Sequence, residues 1–301
     1  MEPPLDSETV EKFHRDGFIA MERLASREEA ERMRAILLHL HENRAGFNEG
    51  AQFDAAGPDT ADNRPRSPQI LSPSNYAKEL LTTNYHNTAT AIAKQILGEE
   101  ARFQLDIAFF KPAQIGSDTP WHQDEAFSNP ELEHDQITIW LAITPTSRNN
   151  SCMSFIPGSH KLPVLEHRTK DGDPRNHGLE CIGTFDTSTA VECPLPVGGA
   201  TIHSHRTLHY AGPNPSSDYR IGYALLFDTL YRLRDKPLVF GWQQQTQLTD
   251  RQLRQRAWRR HGGVIVELWR GRQRVCNHLA AKLPRMFHKR RQNAKLDLAA
   301  G

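Results

Sequence analysis

Hydrophobic and polar positions change their period once along the chain. Up to about residue 100 the apolar residues recur at helical spacing, and from Phe103 to about Leu230 they alternate or run in short blocks, as strands do. A short helical pattern covers Glu8 to His14, and an apolar stretch from Gly17 to Met21 follows it. Ser26-Arg-Glu-Glu29 has the S-x-x-E spacing in which a serine and a glutamate satisfy the free N–H groups of a helix start reciprocally. Ala30, Met33, Leu37 and Leu40 then step by three or four residues and predict one buried helical face. Residues 46–75 are rich in Gly, Asp, Asn and Pro and read as a loop, after which Tyr76 to Leu97 returns to a helical pattern.

Leu105 to Phe110 opens the strand-like half. Gln136 to Ile143 places Ile137, Ile139, Leu141 and Ile143 on one face, with Thr138, Trp140 and Ala142 on the other. Met153 to Ile156, Thr201 to His203 and Ile221 to Phe227 continue the series between Pro- and Gly-bearing turns. Helices followed by many short strands predict an α+β fold with a double-sheet jelly roll at its centre, flanked by N-terminal helices. Beyond Leu230 the chain turns polar and Arg-rich, with helical patterns from Thr249 to Arg260 and near Val275 to Leu283. The expected division is a catalytic domain over 1–245 and a basic, helical extension over 246–301.

Composition excludes several classes. At 301 residues, 38% hydrophobic and 24% charged, the chain has ordinary globular usage. The longest apolar runs, Ile139 to Ile143 and Tyr223 to Phe227, are five residues each, against the ~20 that span a bilayer. The start, Met-Glu-Pro-Pro-Leu-Asp, has no basic or apolar leader pattern, so a cytoplasmic protein is expected. Four cysteines without a C-x-x-C pair remove zinc-ribbon and thioredoxin readings, whereas 15 histidines direct the search to imidazole chemistry. The formal charge of +1 conceals an asymmetry: residues 251–301 carry 14 Lys and Arg against two acids. No nucleic-acid module with stacking aromatics accompanies that basic stretch. It reads as a solvated helical face, or as a contact to an anionic membrane surface. Oligomeric state leaves no mark in the sequence.

The stretch Thr119-Pro-Trp-His122-Gln-Asp124-Glu carries the chemistry. In an extended segment His122 and Asp124 project from one face, so an imidazole nitrogen and a carboxylate oxygen reach one ion. A third ligand comes from elsewhere: His209 is the candidate, with His203 and His205 as competitors. Two histidines and one carboxylate on one side of a metal leave the other side open, which suits non-heme Fe(II) oxygenases. Alone, an H-x-D triplet is weak, and a lone buried histidine is more often a hydrogen-bonded core residue. Arg220, eleven residues after His209, strengthens the set. It shares a strand face with Gly222 and Ala224, and a guanidinium facing an apolar barrel needs an anion beside it. A carboxylate cosubstrate supplies that bidentate partner.

With these residues in place, the chain resembles the phytanoyl-CoA dioxygenase family of Fe(II)- and 2-oxoglutarate-dependent oxygenases. The blocks FHRDGFIAM (13–21), FKP (110–112), PWHQDEAF (120–127), ITIWLAI (137–143), FIPGSHK (155–161) and LHYAGPN…R (208–220) occur in the family's order. The resemblance implies a double-stranded β-helix, a cupin-like jelly roll, with iron bound by His122, Asp124 and His209 and with O2 and 2-oxoglutarate as cosubstrates. Arg220 would pair with the far carboxylate of 2-oxoglutarate, and only His209 keeps the family's spacing to it. Trp140 and Ile107 would line the cosubstrate pocket. Relatives often carry a serine where Ala211 stands, so one hydrogen bond is missing or supplied by Thr138. Gln123, Glu125 and Phe127 flank the ligands and would face substrate, with a surface position the alternative for Glu125. His160 falls in a structural turn. The implied reaction hydroxylates an unactivated C–H bond of a small-molecule substrate and releases succinate and CO2; the basic stretch points to an anionic or lipid-linked substrate. A carboxylate at 124 disfavours halogenation, which needs a small residue there.

Two rival readings use the same barrel. A metal-dependent hydrolase or isomerase would use the His/Asp/His set and have no need of Arg220. A non-catalytic small-molecule-binding barrel would show a broken triad, and the triad here is intact.

Overall fold

The computed structural model describes residues 4–58, 65–115, 117–244 and 248–270. Its helices are α1 Ser7–Asp16, α2 Arg27–Glu42, α3 Asn84–Leu97 and α4 Asp250–Trp258. The early strands are β1 Phe18–Met21, β2 Gln52–Asp54, β3 Pro68–Leu71, β4 Arg102–Lys111 and β5 Thr119–His122. Next come β6 Leu132–Glu133, β7 Gln136–Ala142, β8 Met153–Phe155, β9 His167–Thr169 and β10 Leu179–Cys181. The last are β11 Val191–Cys193, β12 Ala200–Ser204, β13 His209–Ala211, β14 Arg220–Asp228 and β15 Arg232–Leu233.

Local chemistry sets the helix ends. The Asp6 carboxylate accepts from Thr9 N at the start of α1. Gly17 ends the helix at φ 83°, and a Cβ there would lie 2.3 Å from His160 Nδ1, so only glycine fits. The Ser26 hydroxyl caps α2 by accepting from Glu29 N. The reciprocal half of the expected box is absent. Buried Glu29 instead accepts from Asn84 N at 2.6 Å, placing its carboxylate at the start of α3.

Strands β1, β12, β7, β14, β4, β3 and β2 form, in that order, a seven-stranded antiparallel sheet. A second antiparallel sheet has the order β11-β8-β13-β5. Two two-stranded pieces, β9 with β10 and β6 with β15, complete the sheets among the described residues. Strand β7 is buried on both faces, and its alternation sorts two cores. Ile137, Ile139 and Leu141 join Met33 and Leu37 of α2 and Ile92 of α3. Trp140 and Ala142 face the other way, packing with Met153, Phe155 and Ala211 of the smaller sheet. Apolar burial on both sides of the large sheet thus holds the smaller sheet at a fixed position opposite β7 and β14.

Two expectations change. Residues 46–75 are not all loop: β2 and β3 add to the β4 edge, with Ile70 opposite Ala108 and fully buried. Their short length gave the alternation too few residues to show. The pattern from Tyr76 to Leu97 is a 3-10 turn, Lys78–Thr82, followed by α3, whose start is capped by the Thr83 hydroxyl. The chain divides into two compact units between Leu253 and Arg254. In the second, a wider π turn over Arg259–Gly263 leads into helix over 264–270. The helical pattern near Val275 to Leu283, and most of the basic stretch to which membrane contact was assigned, lie outside the described residues. Among the described residues no helix is long and apolar enough to cross a membrane.

Candidate active site

His122 ends β5, His209 begins β13, and the two residues are direct partners in the smaller sheet, with ring centroids 4.0 Å apart. Gln123 keeps the chain extended (φ −115°, ψ 129°), and Asp124 then opens a 3-10 turn over Asp124–Phe127. The strand assumed to run through Asp124 therefore stops at His122, yet the one extended residue between them suffices to bring both side chains together. Ligand atoms of His122, Asp124 and His209 all lie within 4.8 Å of one another. The Nε2 atoms of His122 and His209 are 3.5 and 3.6 Å from Asp124 Oδ1.

The donor set fits a metal ion, and the outer hydrogen bonds show why. His122 Nδ1 donates to Pro120 O at 2.7 Å and His209 Nδ1 to Thr207 O at 2.9 Å. Each bond fixes the tautomer whose Nε2 lone pair faces the shared centre. Burial, reinforced by nearby His122, pushes His209 well below the ordinary imidazole range, so the ring stays neutral. Burial alone would raise Asp124. The imidazoles of His209, His122 and His203 outweigh it and hold the carboxyl well below its usual range.

The second oxygen of Asp124 is occupied differently. The Thr138 hydroxyl donates to Oδ2 at 3.1 Å, and His203 Nε2 lies 3.4 Å from the same atom. His203 therefore sits against the set on its far side, and His205 points away to Glu125. Thr138 orients the carboxylate instead of replacing the hydroxyl missing at Ala211, whose methyl packs between the sheets.

Arg220 begins β14 and is 4% exposed. Its Nε and Nη2 donate to Ser151 O at 3.1 and 2.8 Å, and its Cζ lies 4.6 Å over the Trp140 ring. Ser151 adopts a left-handed φ of 77°, a strained conformation that aims its carbonyl at the guanidinium. Trp140 reaches Arg220 only because position 222 is glycine: a Cβ there would stand 2.0 Å from the indole. No carboxylate of the described residues pairs with Arg220. Burial lowers its guanidinium to about 10, still protonated at neutral pH. Buried Lys111, noted in the sequence only within the FKP block, is its direct partner across β4 and β14. The ammonium donates to Ala211 O and Gly212 O, so it ties β4 to the turn after His209. Burial, then repulsion from Arg220, pushes Lys111 well below its ordinary range. This end of the site is positive and short of an anion.

One cavity of about 640 Å³ joins Arg220, Trp140 and Ile107 to the three candidate ligands and reaches a mouth at Phe127, with buried Phe53 and Leu179 also on its wall. Phe127 lies at that mouth, 45% exposed. Gln123 does not face the cavity. Its Nε2 donates to Arg206 O and its Oε1 accepts from Leu165 N, stitching two loops together. The same alternation that aligns His122 with Asp124 turns Gln123 away. Glu125 is neither a substrate contact nor a surface group: it is 2% exposed and accepts from His205, Arg206 and Arg234. Burial opposes its charge, but these partners lower it to about 2. His160 lies in the expected turn, its Nε2 against His14 O at 3.1 Å. Mouth residues Gln69, Lys170 and Tyr231 escaped the sequence reading, because they come from short or irregular segments without a motif.

The antiparallel two-sheet body thus places two histidines, a carboxylate and a buried arginine around one cavity, a donor set that suits non-heme iron. Residues 13–222 match the phytanoyl-CoA dioxygenase (PhyH) family, and the chain belongs to it. It is similar to a probable alpha-ketoglutarate-dependent hypophosphite dioxygenase of Stutzerimonas stutzeri, 36% identical over 140 residues, covering 44% of this chain and 48% of that protein. It is also similar to the ectoine dioxygenase of Stutzerimonas stutzeri (strain A1501), 29% identical over 180 residues, 58% of this chain and 56% of that protein. The chain spans about half the length of the curated relatives it matches. The crystal structure of EvdO2 from Micromonospora carbonacea var. aurantiaca with 2-oxoglutarate superposes with a TM-score of 0.69. That match is 33% identical and covers 79% of this chain and 96% of the other.

Proposed function

We propose that the chain is an Fe(II)- and 2-oxoglutarate-dependent dioxygenase that hydroxylates an unactivated C–H bond of a small-molecule substrate, with release of succinate and CO2. The two sheets are read as a double-stranded β-helix of the cupin-like type, spanning 1–245, with 246–301 as a basic extension. His122, Asp124 and His209 would hold the iron. Bound there, iron and 2-oxoglutarate supply the oxidising chemistry that no side chain provides.

The protein's own part is positioning. Pro120 O and Thr207 O hold the imidazoles in the ligating tautomer. Thr138 keeps the carboxylate from turning. Arg220, flat on Trp140 and braced by Ser151, offers a charged fork for the far carboxylate of 2-oxoglutarate, with Ile107 on the adjoining wall. The buried walls exclude water from the reacting centre.

The observation that carries this reading is the buried Arg220, in the same cavity as the triad and without a carboxylate partner among the described residues. A hydrolase or isomerase leaves that cation without a purpose. The relatives' names bring hypophosphite and ectoine as test compounds. The decisive experiment is anaerobic titration of Fe(II) and 2-oxoglutarate, read by a weak visible band near ~500 nm for a keto acid chelated at such a site. Wild type should form the band and His209→Ala should not. Iron binding without any band overturns the proposal in favour of a hydrolase or isomerase.

A further inference from the structure

The cavity is larger than its cosubstrate and larger than the compounds named for the two relatives. We infer that the substrate is a neutral, amphipathic molecule of drug-like size, held flat between β3, β4 and the β9–β10 hairpin; this rests on the dioxygenase reading. At about 640 Å³ the cavity lies within the range that encloses ligands of roughly 20–30 non-hydrogen atoms. 2-Oxoglutarate, a short keto diacid at the Arg220 end, fills only the inner part.

The outer walls are mostly apolar. Phe53, Leu71, Leu105, Phe109 and Leu179 supply them, from strands that converge on the mouth. Neutral amides are set among them, beside the charged Lys170, Asp118 and Arg251. Gln136 donates to Gln104 at 2.8 Å, and Gln104 donates to the Tyr231 hydroxyl at 2.9 Å, a chain of amides along one wall. On the neighbouring strand of the same sheet, half-buried Gln69 lies beside Phe109, and its amide has no hydrogen-bond partner among the described residues. An amide set in an apolar wall is a donor and acceptor for a hydroxyl, ether or carbonyl.

Both long-chain cations at this end are engaged by the protein. Lys170, 7% exposed, is paired with Asp118. Arg251 lies over the Phe53 ring and donates to Gly50 O. Among the described residues a small oxyanion finds no unengaged lysine or arginine at this end and would leave the apolar walls wet. A ligand of so few atoms also has little binding energy available, at most about 1.5 kcal/mol per non-hydrogen atom.

The test uses the full chain loaded with Fe(II) and 2-oxoglutarate, and Nile red, a neutral polycyclic dye, as the probe. Saturable fluorescence enhancement is expected, with displacement by progesterone, a neutral amphipath. Gln69→Trp and Leu71→Trp, which fill the outer cavity, should weaken dye binding at least tenfold while the visible band persists. Neither hypophosphite nor ectoine should raise succinate release above the rate without added substrate. Stimulation by either compound overturns the inference, as does dye binding that both tryptophan variants leave unchanged. A variant that loses the band has misfolded, and progesterone competition on wild type then decides: no displacement overturns the inference. Absence of the band in wild type sinks the dioxygenase reading, while the dye still reports the cavity.

Discussion

Arg220 illustrates how single residues set this site. Its charge is buried, braced by a strained Ser151 and stacked on Trp140, and its missing partner is an anion. Arg220→Ala should weaken 2-oxoglutarate about 100-fold, roughly 2.7 kcal/mol, with iron affinity retained, as read by titrating the visible band. Gly222→Ala should act through Trp140. The new methyl, 2.0 Å from the present indole position, displaces the ring, costs about 1–3 kcal/mol in thermal unfolding and weakens 2-oxoglutarate in parallel. An unaltered affinity would mean that the ring does not position Arg220. His167 offers a pH test. Burial lowers it to about 4, against 6.5 for the free group, and its Nε2 accepts from Gln123 N behind the ligands. The unfolded chain thus binds the extra proton between pH 6.5 and about 4, so this contribution is whole above 6.5 and lost as pH falls through that window. Urea unfolding of metal-free protein should show the loss, and His167→Gln should make it shallower, leaving the share of His209, which burial also lowers.

Among the elements, the turn between β13 and β14 fixes the distance from His209 to Arg220. Asn214, fully buried, is its knot: its Nδ2 donates to Lys111 O and Asp218 O, and its Oδ1 accepts from the Ser216 hydroxyl. Asn214→Ala leaves several buried groups unpaired and should cost about 3 kcal/mol in urea unfolding, with loss of 2-oxoglutarate affinity exceeding loss of iron affinity. Equal losses would assign Asn214 to stability alone. Strand β7 was legible from sequence because its alternation runs seven residues and each face meets a different core. The helix periods of α2 and α3 were legible for the same reason. Strands β2 and β3 were not, being three and four residues long inside a Pro- and Gly-rich stretch. The cluster of His122, Asp124 and His209 and the cavity position of Arg220 were readable because motif spacing records them. Gln123 and Glu125 were misread because adjacency in sequence was taken for adjacency in space, whereas the turn at Asp124 sends Glu125 into a buried cluster of cations.

Over the whole molecule, the question is where the dioxygenase body ends. The sequence boundary at 245 follows the change in composition, yet the chain beyond it returns to the cavity. The Thr249 hydroxyl accepts from Gln252 N while Thr249 N donates to the Gln252 side chain, a reciprocal cap that starts α4. Arg251, the second residue of α4, donates to Gly50 O at 2.7 Å and covers Phe53 at 3.8 Å, pinning the β2 edge that lines the cavity. A chain ending at Trp258 keeps this clamp on a complete helix, whereas a chain ending at 245 loses it. The shorter chain should lose about 1–2 kcal/mol of stability, from one cation–π contact and one charged hydrogen bond. Its Nile red binding should weaken while its iron and 2-oxoglutarate midpoints stay close to those of the full chain. The chain ending at Trp258 should match the full chain in all three. If the two truncations instead behave alike, the clamp contributes nothing, and the compositional boundary is also the physical one.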